Sequence, residues 1–386
     1  MKLTAFCATL LLPILLGGCV KDIGTQKNGP AVASEAGGGG GIDPTYTPPL
    51  FQLINTKTLS SPRIGHAAAG IGSKVVFAGG ATPYRGGTVV TSAVDIFDVT
   101  TLEKTTANLS VARKKLSAAA WGNKIVFAGG ITSSGASSKV VDIYDVVANT
   151  WSTAQLSEAR YDMAAAAAGG KIVFAAGRKS AGVESLKVDI YEVATGMWST
   201  NELSSIPRVG GIWGAAAGNR IVFAGLKTGY EGILADVYNV TTGGWTLDLH
   251  NGYDGFPVTA AAGAYDKVIF LSNPAYVFKP TTLEWWEKNA YTGQSWDVGA
   301  GSIDDYVLFA GGTYAGDAPE LEGFHQIVDV YNARKNSKTH FYMLEEKTGV
   351  ELASASNKMF IAGGDNGSQL VNTVEIYKLN KPPTVY

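Results

Sequence analysis

The chain has 386 residues, a formal net charge of -2, 46% hydrophobic residues, 17% charged residues and 48 glycines. This composition excludes a disordered or mainly helical protein and suits an all-β fold with many tight turns, and a nearly neutral chain without a Lys/Arg run has no field to draw it onto nucleic acid. Both cysteines, Cys7 and Cys19, fall at the N-terminus, which excludes a disulfide scaffold or a thiolate zinc site in the body of the fold.

The first predicted element is a secretory signal: Lys2 precedes an apolar run from Leu3 to Leu16 that is too short to span a membrane. The run ends in Leu16-Gly17-Gly18-Cys19, which resembles the bacterial lipobox, where a cysteine thiol accepts diacylglycerol ahead of cleavage. The resemblance implies a signal peptide over residues 1–18, lipidation of Cys19 and a permanent membrane anchor, since each buried CH₂ contributes ~0.8 kcal/mol. Val20, where an aspartate would favour the inner membrane, implies the outer membrane as the address. Residues 19–49 are rich in Gly, Ala, Ser and Pro and lack apolar periodicity; they predict a flexible stalk.

From residue 50 onward an apolar strand closing in small residues recurs: KVVFAGG from Lys74, KIVFAGG from Lys124, KIVFAAG from Lys171, RIVFAGL from Arg220, KVIFLSN from Lys267, YVLFAGG from Tyr306 and KMFIAGG from Lys358. Each copy is followed by a strand of the type VDIY, beginning at Val94, Val141, Val188, Ala235, Ala275, Val328 and Val374. Trp151, Trp198, Trp245 and Trp285 mark a further strand, and Ala/Gly-rich stretches near His66, Ser117, Ala164, Gly214 and Thr259 mark another. Four short strands per repeat make a propeller blade, with the Ala/Gly strand innermost, where blades converge, and the aromatic strand at the rim. Pro62-Arg63-Ile64-Gly65-His66 through Phe77-Ala78-Gly79-Gly80 is similar to the kelch repeat. The resemblance covers residues 50–380 and implies a seven-bladed kelch-type β-propeller with four antiparallel strands per blade, leaving 381–386 as a tail. No outer strand follows Tyr377, and Phe51 to Leu59 has the spacing of one. That segment is predicted to complete blade seven and close the ring.

Catalytic motifs are absent from the sequence: it has no GxSxG elbow, HExxH, P-loop, EF-hand loop or dinucleotide fingerprint. Galactose oxidase shares the kelch-type propeller, but its copper site needs a cysteine-crosslinked tyrosine, for which no cysteine exists beyond Cys19. The four histidines do not cluster; His66 sits at a kelch consensus position, and His325 lies in an acidic loop with Asp317, Glu320 and Glu322 whose spacing matches no calcium loop. No catalytic residue, metal or cofactor is predicted.

The strongest constellation is a column of bases at the turn leading into the innermost strand: Arg63, Arg113, Arg160, Arg208 and Lys347, replaced by Phe256 and Ser295 in the other two repeats. A propeller brings these positions into one ring, and the loops carrying Tyr84, Arg85, Arg178, Lys179, Lys227, Tyr230 and Glu231 open on the same face. Either the bases pair with Asp95, Asp142, Asp189, Asp236 and Glu375, or they line a funnel for carboxylates. Repeat five lacks both the base and the acid, having Phe256 and Tyr276, as joint loss of a pair would produce. The functional reading is a membrane-anchored, non-enzymatic module that binds a protein or glycan partner at the bacterial envelope through one propeller face. The alternative is an enzyme acting on an acidic sugar, by analogy with the kelch-fold sialate mutarotases.

Overall fold

The computed structural model describes residues 49–206, 208–229, 232–251, 258–272, 275–288, 295–314 and 323–380. The signal peptide, Cys19, the stalk and the tail fall outside the described residues. Seven antiparallel sheets, each built on four strands, stand in a ring. Blade 2 shows the plan. Ser117–Trp121 is innermost, followed outward by Lys124–Ala128, Val140–Asp145 and Thr150–Gln155.

The inner strands must be small-residued because neighbouring blades nearly touch at the axis. A Cβ added to Gly263 of blade 5 would collide with the carbonyl oxygen of Ala216 in blade 4. One strand further out there is room for large side chains, and both faces of that strand are covered by neighbouring blades. It therefore reads as a continuous apolar run rather than an alternating one: in blade 2, Ile125 and Phe127 pack with Ala67, Val76 and Ala78 of blade 1, whereas Val126 and Ala128 pack with Ile172 and Phe174 of blade 3. Seven such hydrophobic clusters fill the seven seams. At the rim the tryptophans stack on the tyrosine or phenylalanine of the strand inside them, with centroids 4.9 Å apart for Tyr144–Trp151, 5.0 Å for Tyr191–Trp198, 4.8 Å for Tyr238–Trp245 and 4.2 Å for Phe278–Trp285. Such pairs add about 0.5–1.5 kcal/mol beyond their buried area.

The ring closes as the spacing predicts. Phe51–Thr58 pairs antiparallel with Thr373–Leu379, so blade 7 takes its outer strand from the start of the propeller and its other three from the end. This closure removes the open edge. It also gives the disc a polarity. Long connections leave the upper face, where the second strand ends in small residues in most blades, and tight turns line the lower face. Because Phe51 lies opposite Leu379, the chain enters the propeller at the lower face, where Asn380 bonds the carbonyls of Leu50 (2.9 Å) and Pro49 (2.9 Å).

Candidate functional site

The basic column forms a ring of buried ion pairs. Arg63 meets Asp95 at 2.5 Å and Lys347 meets Glu375 at 2.6 Å, all four side chains being fully buried; Arg113–Asp142, Arg160–Asp189 and Arg208–Asp236 repeat the arrangement. Burial pulls the pKa of each of these arginines down from its ordinary value, and the facing carboxylate opposes the shift. Of the two readings open in the sequence, the geometry selects pairing. The expected funnel of solvent-facing bases is corrected accordingly: Arg63, Arg113, Arg160 and Lys347 have no surface to offer an external ligand.

Each pair also fastens one blade to the next. The free oxygens of the acid accept a backbone N–H from the segment leaving the preceding blade: Ser60 to Asp95, Ser110 to Asp142, Ser157 to Asp189 and Ser204 to Asp236, each at 2.9 Å, and Leu344 to Glu375 at 2.8 Å. The sequence reading missed these residues. The signal for them was the recurrent Leu-Ser of Leu59-Ser60, Leu109-Ser110, Leu156-Ser157 and Leu203-Ser204. In blade 5 the acid's place is taken by Tyr276, fully buried with its ring 5.2 Å from that of His250, while Phe256 lies outside the described residues. Blade 6 departs from joint loss, since it keeps the acid as Asp329 although Ser295 replaces the base.

Tyr84 and Arg85 are on the upper face. They cap a hairpin of Ala81–Tyr84 and Gly87–Val90, with the guanidinium 5.2 Å from the tyrosine ring and the tyrosine 55% exposed. Tyr230 falls outside the described residues. His66 is buried against Gly363 of blade 7, and burial together with the nearby Arg63 charge lowers its pKa to about 3; a neutral, enclosed ring of this kind fills a seam. Among the described residues no group of three or more His, Cys, Asp or Glu could hold a metal ion.

A cavity of about 470 Å³ opens between blades 3 and 4. At the same register, Leu116 and Met163 plug the first two seams against Gly79 and Gly129. In blade 4 the inner strand bulges: Val209 lies opposite Leu226 and Trp213 opposite Ala224, so Gly210, Gly211 and Ile212 share Gly225. A bulge of this type bends the strand and re-aims its side chains, and Trp213 stands where blade 3 has Ala164. Blade 3 contributes Asp162, Arg178, Glu184 and Ser185 to the cavity, and blade 4 contributes Arg208, Ile212 and Trp213. The sequence carried a sign of this: four positions separate Ser204 from Arg208, against three from Ser60 to Arg63, Ser110 to Arg113 and Ser157 to Arg160.

One inner-strand residue breaks the small-residue rule with an ionisable group. Glu351 begins the inner strand of blade 7, where blades 1 and 3 have Ala67 and Ala164, and burial raises its pKa from 4.5 to about 8. The unfolded chain releases this proton near pH 4.5 while the folded chain keeps it to about 8. Stability is therefore fully present below pH 4.5 and is lost progressively as pH rises to about 8. Glu351→Gln should leave stability unchanged at pH 4 and raise it at pH 8. Urea titrations at the two pH values measure this, and an equal effect at both would refute it.

Residues 112–155 and 347–381 match the family model described as Kelch motif. No curated protein matches the chain. The two matched stretches fall in blades 2 and 7 and contain the strands that the other blades repeat. Together with seven four-stranded sheets in a closed ring, they make this chain a kelch-repeat β-propeller.

Proposed function

We propose that this protein is a lipid-anchored, non-enzymatic binding module of the bacterial envelope that holds a protein or glycan partner on its upper face. Kelch propellers commonly serve as protein-binding modules. The observation that carries the reading here is the polarity of the ring: the chain joins the propeller at the lower face, whereas the long loops and the seam cavity open above. An anchor at Cys19 would therefore leave the upper face turned away from the membrane, on a stalk of roughly 30 residues with a mean span of about 30 Å. That face presents Tyr84 at 55%, Val183 at 55% and Trp296 at 44% exposure. The acidic-sugar enzyme reading relied on a ring of arginines gripping a carboxylate together, and Arg63, Arg113 and Arg160 are buried away from any ligand.

Two measurements test the proposal. Cys19→Ser should release the protein from membranes, whereas the wild type should withstand a carbonate wash and incorporate labelled fatty acid; a variant that stays with the membrane contradicts the anchor. A photoreactive residue at Tyr84 or Trp296 should form adducts in intact cells, and one at Val147 in a lower-face turn should not. Adducts at Val147 alone would place the binding face on the wrong side.

A further inference from the structure

We propose that the seam between blades 3 and 4 binds a small monocarboxylate, gripped by Arg208 at its floor and Arg178 at its rim. The inference rests on the reading of the upper face as the binding face.

The repeats provide an internal comparison. In blade 2, Nη1 of Arg113 donates to the carbonyls of Gly129 and Val140, each at 2.6 Å. In blade 3, Nη1 of Arg160 donates to Ala176 at 2.8 Å and Lys187 at 2.5 Å. Arg208 has lost both of these acceptors. Strand pairing in blade 4 runs on through Gly225 opposite Leu234 and Leu226 opposite Ile233, which takes the corresponding backbone into the ladder. Nη1 of Arg208 is left with the carbonyls of Ser204 at 3.3 Å and Ile206 at 3.5 Å, and its Nε, like those of Arg63 and Arg160, has no partner. A guanidinium carries five donors, and buried donors are ordinarily satisfied. Arg208 is nearly fully buried, and of the ring bases it is the one that lines this cavity, where its spare donors can meet a ligand.

The second cation is Arg178. It is exposed at the cavity rim and forms no ion pair with any described residue. A carboxylate matches the planar fork of a guanidinium better than any other common anion of its size. The surrounding acids limit the charge of the ligand. Asp162 is held by Lys115 at 3.1 Å, and Glu158 by Ser185 at 2.6 Å and Lys179 at 3.4 Å. Glu184 also lines the cavity and would repel a second negative charge, which favours a monoanion over phosphate. Ile212 and Trp213 give the body of the ligand an apolar wall, and about 470 Å³ falls within the usual range for small-molecule sites.

Such a carboxylate can come from a uronic acid or from a peptide C-terminus, so the full chain is titrated by calorimetry with glucuronate and with acetyl-Ala-Ala, against glucose and acetyl-Ala-Ala-amide as neutral counterparts. Glucuronate binding without peptide binding assigns the sugar source, and the reverse assigns the peptide. In either case Arg178→Ala should weaken the productive ligand about tenfold while leaving the unliganded melting temperature unchanged. The Trp213 indole NMR resonance, identified with Trp213→Phe, should shift on binding. Neither carboxylate binding better than its neutral counterpart, or binding that survives Arg178→Ala undiminished, overturns the site. Adducts at Tyr84 or Trp296 without carboxylate binding would overturn this site alone and leave the upper-face reading intact.

Discussion

A chain beginning at residue 61 is expected to be less stable than one beginning at residue 49 by on the order of 5 kcal/mol or more. The shorter chain loses Phe51, Leu53 and Leu59, all buried, and burying an apolar side chain of this size contributes about 1.5–3 kcal/mol. It also loses the ladder from Phe51–Leu379 to Thr58–Thr373, the stack of Phe51 on Phe341 at 5.3 Å and the Ser60 amide that bonds Asp95. Thr373–Leu379 would become an unpaired edge open to association. Removing residues up to 48 should cost almost nothing. Thermal and urea unfolding of the two chains check this, together with light scattering to detect association of the shorter one. Equal midpoints would mean that the ring does not depend on its first strand.

The fold was legible because seven copies had to solve one packing problem. Each second strand is covered on both faces and so needs an apolar run, each inner strand is crowded and so needs Ala or Gly, and these demands leave the same residues at the same spacing. The closing strand was legible for a similar reason, since Phe51 to Leu59 had an outer strand's spacing and the last repeat lacked one. The basic column was found but could not be assigned from sequence alone, because a ring of equivalent positions is the same string of letters whether the side chains point into solvent or into the blade. Joint loss in repeat five pointed to pairing, and Asp329 in blade 6 shows that the rule has an exception. The seam cavity was harder to see. It arises where blade 4 departs from the repeat, through an added residue before Arg208 and through Trp213 in the register of an alanine, and one irregular copy carries little weight in a pattern read from its agreements.

Arg63, Arg113, Arg160 and Lys347 are scaffold, buried away from any ligand, and ligand chemistry lies above them and at Arg208, which lines the seam cavity. The most direct measurement compares unfolding free energies of Arg113→Ala, Arg160→Ala and Arg178→Ala. Arg113 and Arg160 are fully buried with their acids, and removing either base leaves Asp142 or Asp189 as an uncompensated buried charge, at a cost of about 3–5 kcal/mol. Replacing the pair together, as in Arg160→Met with Asp189→Leu, should recover much of that loss, because two apolar groups leave no stranded charge. Arg178→Ala removes an exposed side chain without an ion pair and should change stability by less than about 0.5 kcal/mol. Large losses for the first two with none for the third are the predicted result. Undiminished stability in Arg113→Ala and Arg160→Ala would contradict it and return the ring to the role of an open anion site.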